Sequence, residues 1–310
     1  MRVKEYLEYL ALYVGMQLSR AIPKRALYAL SGYIVKRSYR NNERRRERVA
    51  KHLELAFPER GEEERAEIFE AFLTHLSSFY VEILLISTGR LDFDTAVVNE
   101  EEVLGRIERL VHRDGRGLIL LVSHYGNWEF LGHWLAYRGL SGAVVAREFK
   151  NTIIDERLIV PFRERYGNSS IERKGAIVSI VRLLKAGGGV ALLIDQMIPP
   201  PNGIDIEFFG RKAYALKSAA QLKLKLDPLV VPVFAERVGR ESFRIHIEEP
   251  VEYCVANLDG EEKVRALTQR YSDILQERIE RNPAQWQWAY RRWRLPKHDS
   301  RKGERKVAAE

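Results

Sequence analysis

The sequence predicts an α/β fold with a mostly parallel central sheet flanked by helices and a helical N-terminal lobe. Three observations predict it. Residues 117–122 (GLILLV) and 190–194 (VALLI) are unbroken apolar runs, the pattern of strands covered on both faces. Segments with helical spacing alternate with these and with further short apolar runs, which is the grammar of a parallel sheet between helices. Residues 1–90, by contrast, read as helical throughout. With 310 residues and 45% apolar content, the chain is long enough for one large core.

In order, Pro23 fits a helix start, and residues 36–51 (KRSYRNNERRRERVAK) form a basic segment with Glu43 and Glu47 spaced for intrahelical pairs. A turn at FPERG precedes a helix over residues 62–87. Strands are predicted at 117–122, 142–146, 169–172, 190–194, 229–234 and 243–248. Helices are predicted at 127–137, 154–166, 176–186, 212–226 and 261–281. Gly187, Gly188 and Gly189 close the 176–186 helix. The expected organisation is one structural unit: a helical lobe over 1–90, an α/β domain over 91–296, and a basic tail over 297–310.

Composition excludes several classes. The apolar content rules out a disordered chain. A single cysteine, Cys254, rules out a disulfide scaffold and sites built on cysteine pairs. The net charge of +8 points to an anionic partner: nucleic acid, an anionic membrane or an acidic protein. Residues 9–19 are the most apolar N-terminal stretch but fall short of the roughly 20 residues a bilayer span needs. No small-residue cleavage pattern follows, so a cleaved leader is not expected. Such a helix either lies in a membrane interface or packs on the protein's own core.

In open α/β sheets ligands bind beyond the carboxyl ends of the strands. Ser123-His124, Arg147 and Asp195-Gln196 each follow a predicted strand, so His, Arg and Asp converge on one edge. Within SHYGNWEF, Gly126 permits a tight turn, Asn127 is a good helix N-cap, and Glu129 falls in the first helical turn. A carboxylate on one ring nitrogen of His124 would fix its tautomer and leave the other nitrogen as a base. The bland alternative is a capping motif with Glu129 serving the helix dipole. Phosphate loops, dinucleotide fingerprints, the nucleophile elbow and the zincin motif are all absent, and the seven histidines show no metal-ligand spacing. A base without a covalent nucleophile suits direct transfer to a hydroxyl.

HYGNWE resembles the H-x-x-x-x-[DE] motif of glycerolipid-type acyltransferases, and more narrowly the late acyltransferases of lipid A biosynthesis. LELAFPER, the Arg147…Asn151 segment, Arg163, the 187–213 block with Asp195-Gln196 and Phe209-Gly210, VVP, and NPAQWQWAYRRWR resemble that family's blocks in order. The resemblance implies an acyltransferase-like fold and transfer of a fatty acyl chain to a hydroxyl of a lipid A precursor. The donor would be acyl carrier protein or coenzyme A. It implies His124 as general base and Glu129 as its orienting partner. It implies substrate contacts from Asn127, Arg147, Asn151, Arg163, Asp195, Gln196, Phe209 and Gly210. No metal or cofactor is implied. The acceptor would be an anionic glycolipid at the cytoplasmic face of a bacterial inner membrane, with peripheral attachment. Three departures stand out: His52 where Asn is usual, Glu148 after Arg147 where Pro is common, and a short apolar N-terminus. Acyltransferases for mannosylated phosphatidylinositol share the pattern, commonly with Asp at the Glu129 position.

The segment 286–294 interleaves Trp286, Trp288, Trp293 and Tyr290 with arginines. The indoles either sit among lipid headgroups or pack on the core as a helix. With the basic segment it could also form a base-stacking surface, but no nucleic-acid module is present and no nucleic-acid partner is expected. A non-catalytic lipid-binding protein of the same fold would bind lipid without turnover.

Overall fold

A computed structural model describes residues 2–146, 149–172, 175–252 and 258–293. Arg147, Cys254, Arg294 and the basic tail lie outside the described residues.

The N-terminal lobe consists of α1 (Arg2–Ser19), α2 (Lys24–Arg40), α3 (Glu43–Ala56) and α4 (Glu62–Ser87). Pro23 precedes α2, and the Asn42 side chain caps α3 by accepting from the Arg45 backbone N–H at 3.1 Å. α5 (Glu100–Val111) follows. The sheet then begins with β1 (Leu118–Val122), and α6 (Trp128–Tyr137) and β2 (Ala143–Ala146) come next. Residues 154–166, expected as one helix, are α7 (Thr152–Ile154), a π-helical stretch Asp155–Ile159 and α8 (Val160–Arg163). Then come β3 (Ser169–Glu172), α9 (Ala176–Lys185) and β4 (Gly189–Leu193).

A hairpin of β5 (Gly203–Phe208) and β6 (Arg211–Leu216) stands where the sequence suggested the start of a helix at Lys212. Its two-residue turn, Phe209-Gly210, has positive φ at both positions (51° and 65°), as a primed hairpin turn requires. The helix itself is shorter, α10 (Ser218–Leu226). β7 (Leu229–Gly239), β8 (Ser242–Ile247) and α11 (Gly260–Arg281) complete the domain.

The main sheet has six strands in the order β3-β2-β4-β1-β7-β8, parallel except for the β7–β8 pair. β1 is fully buried and pairs with β4 and β7 on either side, which explains its unbroken apolar run. One apolar cluster joins Leu27 of α2 and Val81 and Leu85 of α4 to Val122, Phe130 and Val231. The lobe and the sheet therefore share a core.

Among the described residues, α4 is the helix long and apolar enough to cross a bilayer, where the sequence had pointed to residues 9–19 as the best candidate. Half of that stretch is packed inside the protein, as in a core helix.

Candidate active site

β1 and β4 are neighbours, so the residues after them meet at one sheet edge. His124 follows β1 and Asp195 follows β4. The Asp195 carboxylate accepts from His124 Nδ1 at 2.7 Å through Oδ1, and from the His124 backbone N–H at 2.9 Å through Oδ2. Trp286 Nε1 donates to the same Oδ2 at 3.0 Å. The carboxylate is thus held on three sides. Burial pushes the Asp195 pKa up, but the charge and hydrogen bonds of His124 and the Trp286 donor outweigh it, and the net shift is down. Since Nδ1 gives its hydrogen to Asp195, Nε2 is the acceptor nitrogen. No hydrogen bond from a described residue occupies Nε2, and it is not among the sealed, unpartnered buried atoms.

The imidazole stands between two aromatic rings, Trp128 at 4.8 Å and Tyr290 at 4.5 Å between centroids, both edge-to-face. Burial, with Asp195 nearby, pushes the Tyr290 phenol up to about 12. Glu129 is half-buried in the first turn of α6. Burial raises its pKa, opposed by the charges of Arg163 and His124. The structure therefore brings Glu129, Arg163 and His124 within electrostatic reach. The hydrogen bond that orients the ring comes from Asp195, which the resemblance had placed only among substrate contacts, and among the described residues none joins the ring to Glu129.

The turn carrying His124 is fixed by backbone bonds on both sides. Gln287 N–H donates to the His124 carbonyl at 3.0 Å, Gly126 N–H to the Gln285 carbonyl at 2.9 Å, and Asn127 N–H to the Ala235 carbonyl at 3.0 Å. Gly126 has φ +60°, and a Cβ there would lie 1.8 Å from the Ala235 carbonyl oxygen, so no other residue fits. The fully buried Asn127 caps α6 through the Phe130 N–H (2.9 Å) and donates to Glu82 Oε2 at 2.6 Å. Glu82, fully buried on α4, also accepts from Arg237 Nε at 2.7 Å and from Arg237 Nη2. Arg237 in turn touches His75 and exchanges backbone–amide hydrogen bonds with Gln285 at 2.8 Å each. Sequence reasoning missed this ion pair, because nothing local marks Glu82 or Arg237 as partners.

The other expected contacts divide. Both ends of the Asn127 amide are engaged within the protein. Asn151 is likewise occupied: it caps α7 and donates to the Glu5 carbonyl (2.8 Å) and Glu8 Oε2 (3.0 Å), which clamps α1 to the domain. Gln196 is exposed. Phe209 and Gly210 form the hairpin turn, and Phe209 packs on Phe57 and Trp293. His52 is buried and shares a 2.9 Å hydrogen bond with the Trp288 carbonyl.

Trp286, Trp288 and Trp293 are buried in a core cluster, which excludes them from a lipid interface; their segment is a short 3₁₀ turn followed by irregular chain, not a helix. Arg292 is fully buried over the Phe208 ring of that cluster at 4.2 Å, with no hydrogen-bond partner on Nε, Nη1 or Nη2 among the described residues. Burial lowers its pKa to about 10, against the pull of Asp195.

A cavity of about 640 Å³ is connected to this site through Tyr290, which lines it and packs on the His124 ring; His124 itself is not in its lining. Leu27, Val35, Leu76, Val81 and Leu84 line its apolar part, and Gln287, Ala289 and Tyr290 line the side toward His124. No group of three or more potential metal ligands occurs among the described residues.

An oriented imidazole at the edge of a mostly parallel sheet covered by helices suits acyl transfer to a hydroxyl, and the protein's family is one of acyltransferases. The family model described as bacterial lipid A biosynthesis acyltransferase matches residues 2–295, and the chain belongs to that family. Among its relatives is a phosphatidylinositol mannoside acyltransferase of Mycobacterium tuberculosis (strain ATCC 25618 / H37Rv), 23% identical over 68% of each chain. Lipid A biosynthesis acyltransferase 2 of Shigella flexneri is 24% identical over 78% of this chain and 76% of its own. The lipid A biosynthesis lauroyltransferase of Escherichia coli (strain K12) is 24% identical over 88% of this chain and 87% of its own.

Proposed function

We propose that the protein transfers a fatty acyl chain from an acyl thioester, on acyl carrier protein or coenzyme A, to a hydroxyl of a lipid A precursor. It would work at the cytoplasmic face of a bacterial inner membrane, as part of lipopolysaccharide biosynthesis. His124 Nε2 takes the proton of the acceptor hydroxyl. The oxygen attacks the thioester carbonyl, the C–S bond breaks, and the departing thiolate takes the proton back from the imidazolium. Asp195 holds the ring in the productive tautomer and balances its transient charge. Glu129 adds a second carboxylate beside the ring, and Arg163 is placed to meet developing negative charge. The observation that carries this reading is the Asp195–His124 Nδ1 bond, which leaves Nε2 without a partner among the described residues. The mannoside-acylating relatives favour a second reading of the acceptor, a mannosylated phosphatidylinositol, with the same chemistry.

The test is turnover with a panel of acyl thioesters and both acceptor types, read by mass spectrometry. His124→Ala and Asp195→Asn should each stay folded and lose roughly 10²–10⁴-fold in kcat. Full turnover by a folded His124→Ala protein overturns the proposal. Acylation of the mannoside alone overturns the lipid A assignment.

A further inference from the structure

We propose that Arg45 and Arg48 bind the phosphate of the acceptor lipid while its hydrocarbon lies in the cavity between α2 and α4. The proposal rests on the acyltransferase reading and adds to it a site for one substrate. The cavity lining contains two arginines and no carboxylate. Arg45 and Arg48 are three residues apart on α3, so they share one helical face, and that face looks into the cavity. The hydroxyl-bearing side chains of Ser38, Tyr39 and Tyr80 line the same end. Arg48 Nη1 donates to the Ala289 carbonyl at 3.2 Å. That bond ties α3 to the segment whose next residue, Tyr290, packs on the His124 ring. A phosphate at the arginines therefore reports directly to the strap beside the base.

The apolar end says where the ligand comes from. Leu30 and Ile34 of α2 line the cavity and yet are 51% and 54% exposed, so hydrocarbon forms its mouth as well as its floor. Tyr33 beside them is 68% exposed. A tail entering past these residues arrives from a lipid phase, with its headgroup left at the water boundary where the arginines stand. A chain carried on a soluble thioester arrives through water and has no need of an apolar doorway. Two cations opposite an anion, with a greasy slot below, select a phosphate-bearing amphiphile rather than a neutral diglyceride.

The experiment measures binding by titration calorimetry on the full chain carrying His124→Ala, so that it needs no turnover. The probes are dioctanoyl phosphatidic acid, dioctanoylglycerol and octanoyl-phosphopantetheine, all below their aggregation concentrations. The phosphatidic acid should bind more tightly than the glyceride. Arg45→Ala/Arg48→Ala should weaken the phosphatidic acid by at least about tenfold and leave the other two probes unchanged. Arg44→Ala/Arg46→Ala, on the same helix but outside the cavity lining, should leave all three unchanged. Unaltered phosphatidic acid binding in the Arg45/Arg48 variant overturns the site. Loss of phosphopantetheine binding instead assigns the arginines to the donor and overturns the acceptor assignment. Equal losses in both double variants reveal diffuse charge attraction and also overturn it. If these binding results hold while no acyl transfer is found in any assay, the site stands and the catalytic reading alone fails.

Discussion

At position 52 an imidazole is sealed in the core, sharing its Nδ1 hydrogen with the Trp288 carbonyl, while among the described residues Nε2 has no partner. A proton on Nε2 would place a charge where nothing accepts it, and burial lowers the pKa to about 4. In the unfolded chain the same group titrates near 6.5. The unfolded state therefore binds the proton first as pH falls, and stability present above about pH 6.5 is progressively lost toward pH 4, by up to about 3 kcal/mol. His52→Asn retains a donor for Trp288 and removes the titration. Its denaturant midpoint should fall less than that of the parent between pH 7 and about 4.5. Parallel pH curves for the two proteins would refute this account. His133, also lowered to about 4 by burial, leaves a residual acid slope in both. Candidate-site features were legible at this scale where they depended on one short stretch: SHYGNWEF marked the Asn127 cap, which the structure shows, and His124 as the proposed base. Strand order placed Asp195 at the same edge as His124, but not its hydrogen bond to the ring, because the two are 71 positions apart and meet only through β1–β4 pairing.

At the scale of elements, the buried strands could be located because a strand covered on both faces has no choice but to be apolar, as β1 and β4 are. The β5–β6 hairpin was missed because Lys212, Ala213, Tyr214 and Leu216 suit a helix as readily as a strand. Only the Phe209-Gly210 turn and packing against α11 decide the matter, through bonds such as Gln276 Oε1 to the Phe209 N–H at 2.6 Å. The joint between lobe and sheet is an element-scale device as well. Glu82 on α4 receives Arg237 from β7 and Asn127 from the start of α6, so one buried carboxylate holds three elements. Removing one member of a buried, hydrogen-bonded pair leaves an uncompensated charge. Glu82→Ala should therefore cost about 3–5 kcal/mol, read as a shift of the denaturant midpoint. Replacing both partners with apolar residues should cost much less than Glu82→Ala alone. If the single and double replacements are equally destabilised, the isolated charge is not the cause.

At the scale of the whole molecule, charge and apolar exposure combine on the N-terminal lobe. α1 is clamped to the domain through Glu5 and Glu8 by Asn151, yet Leu7, Leu10 and Leu18 remain exposed, at 59%, 42% and 65%. α2 and α3 add Arg37, Arg40, Arg44 and Arg46 to a chain of net charge +8. Side chains that are exposed in water and apolar gain by entering a lipid interface, at roughly 25 cal/mol per Å² withdrawn from solvent. The basic residues add attraction to anionic headgroups, and salt screens that part alone. We expect Leu7→Ser/Leu10→Ser/Leu18→Ser to weaken partitioning onto phosphatidylglycerol vesicles by about a hundredfold, since three half-exposed leucines contribute about 1 kcal/mol each. Thermal stability should barely change, because these side chains are not part of the core. Raising salt to about 0.5 M should weaken binding of both proteins by the same factor. Cosedimentation with vesicles decides it: a triple variant that partitions like the parent would mean that the exposed face of α1 does not meet the membrane.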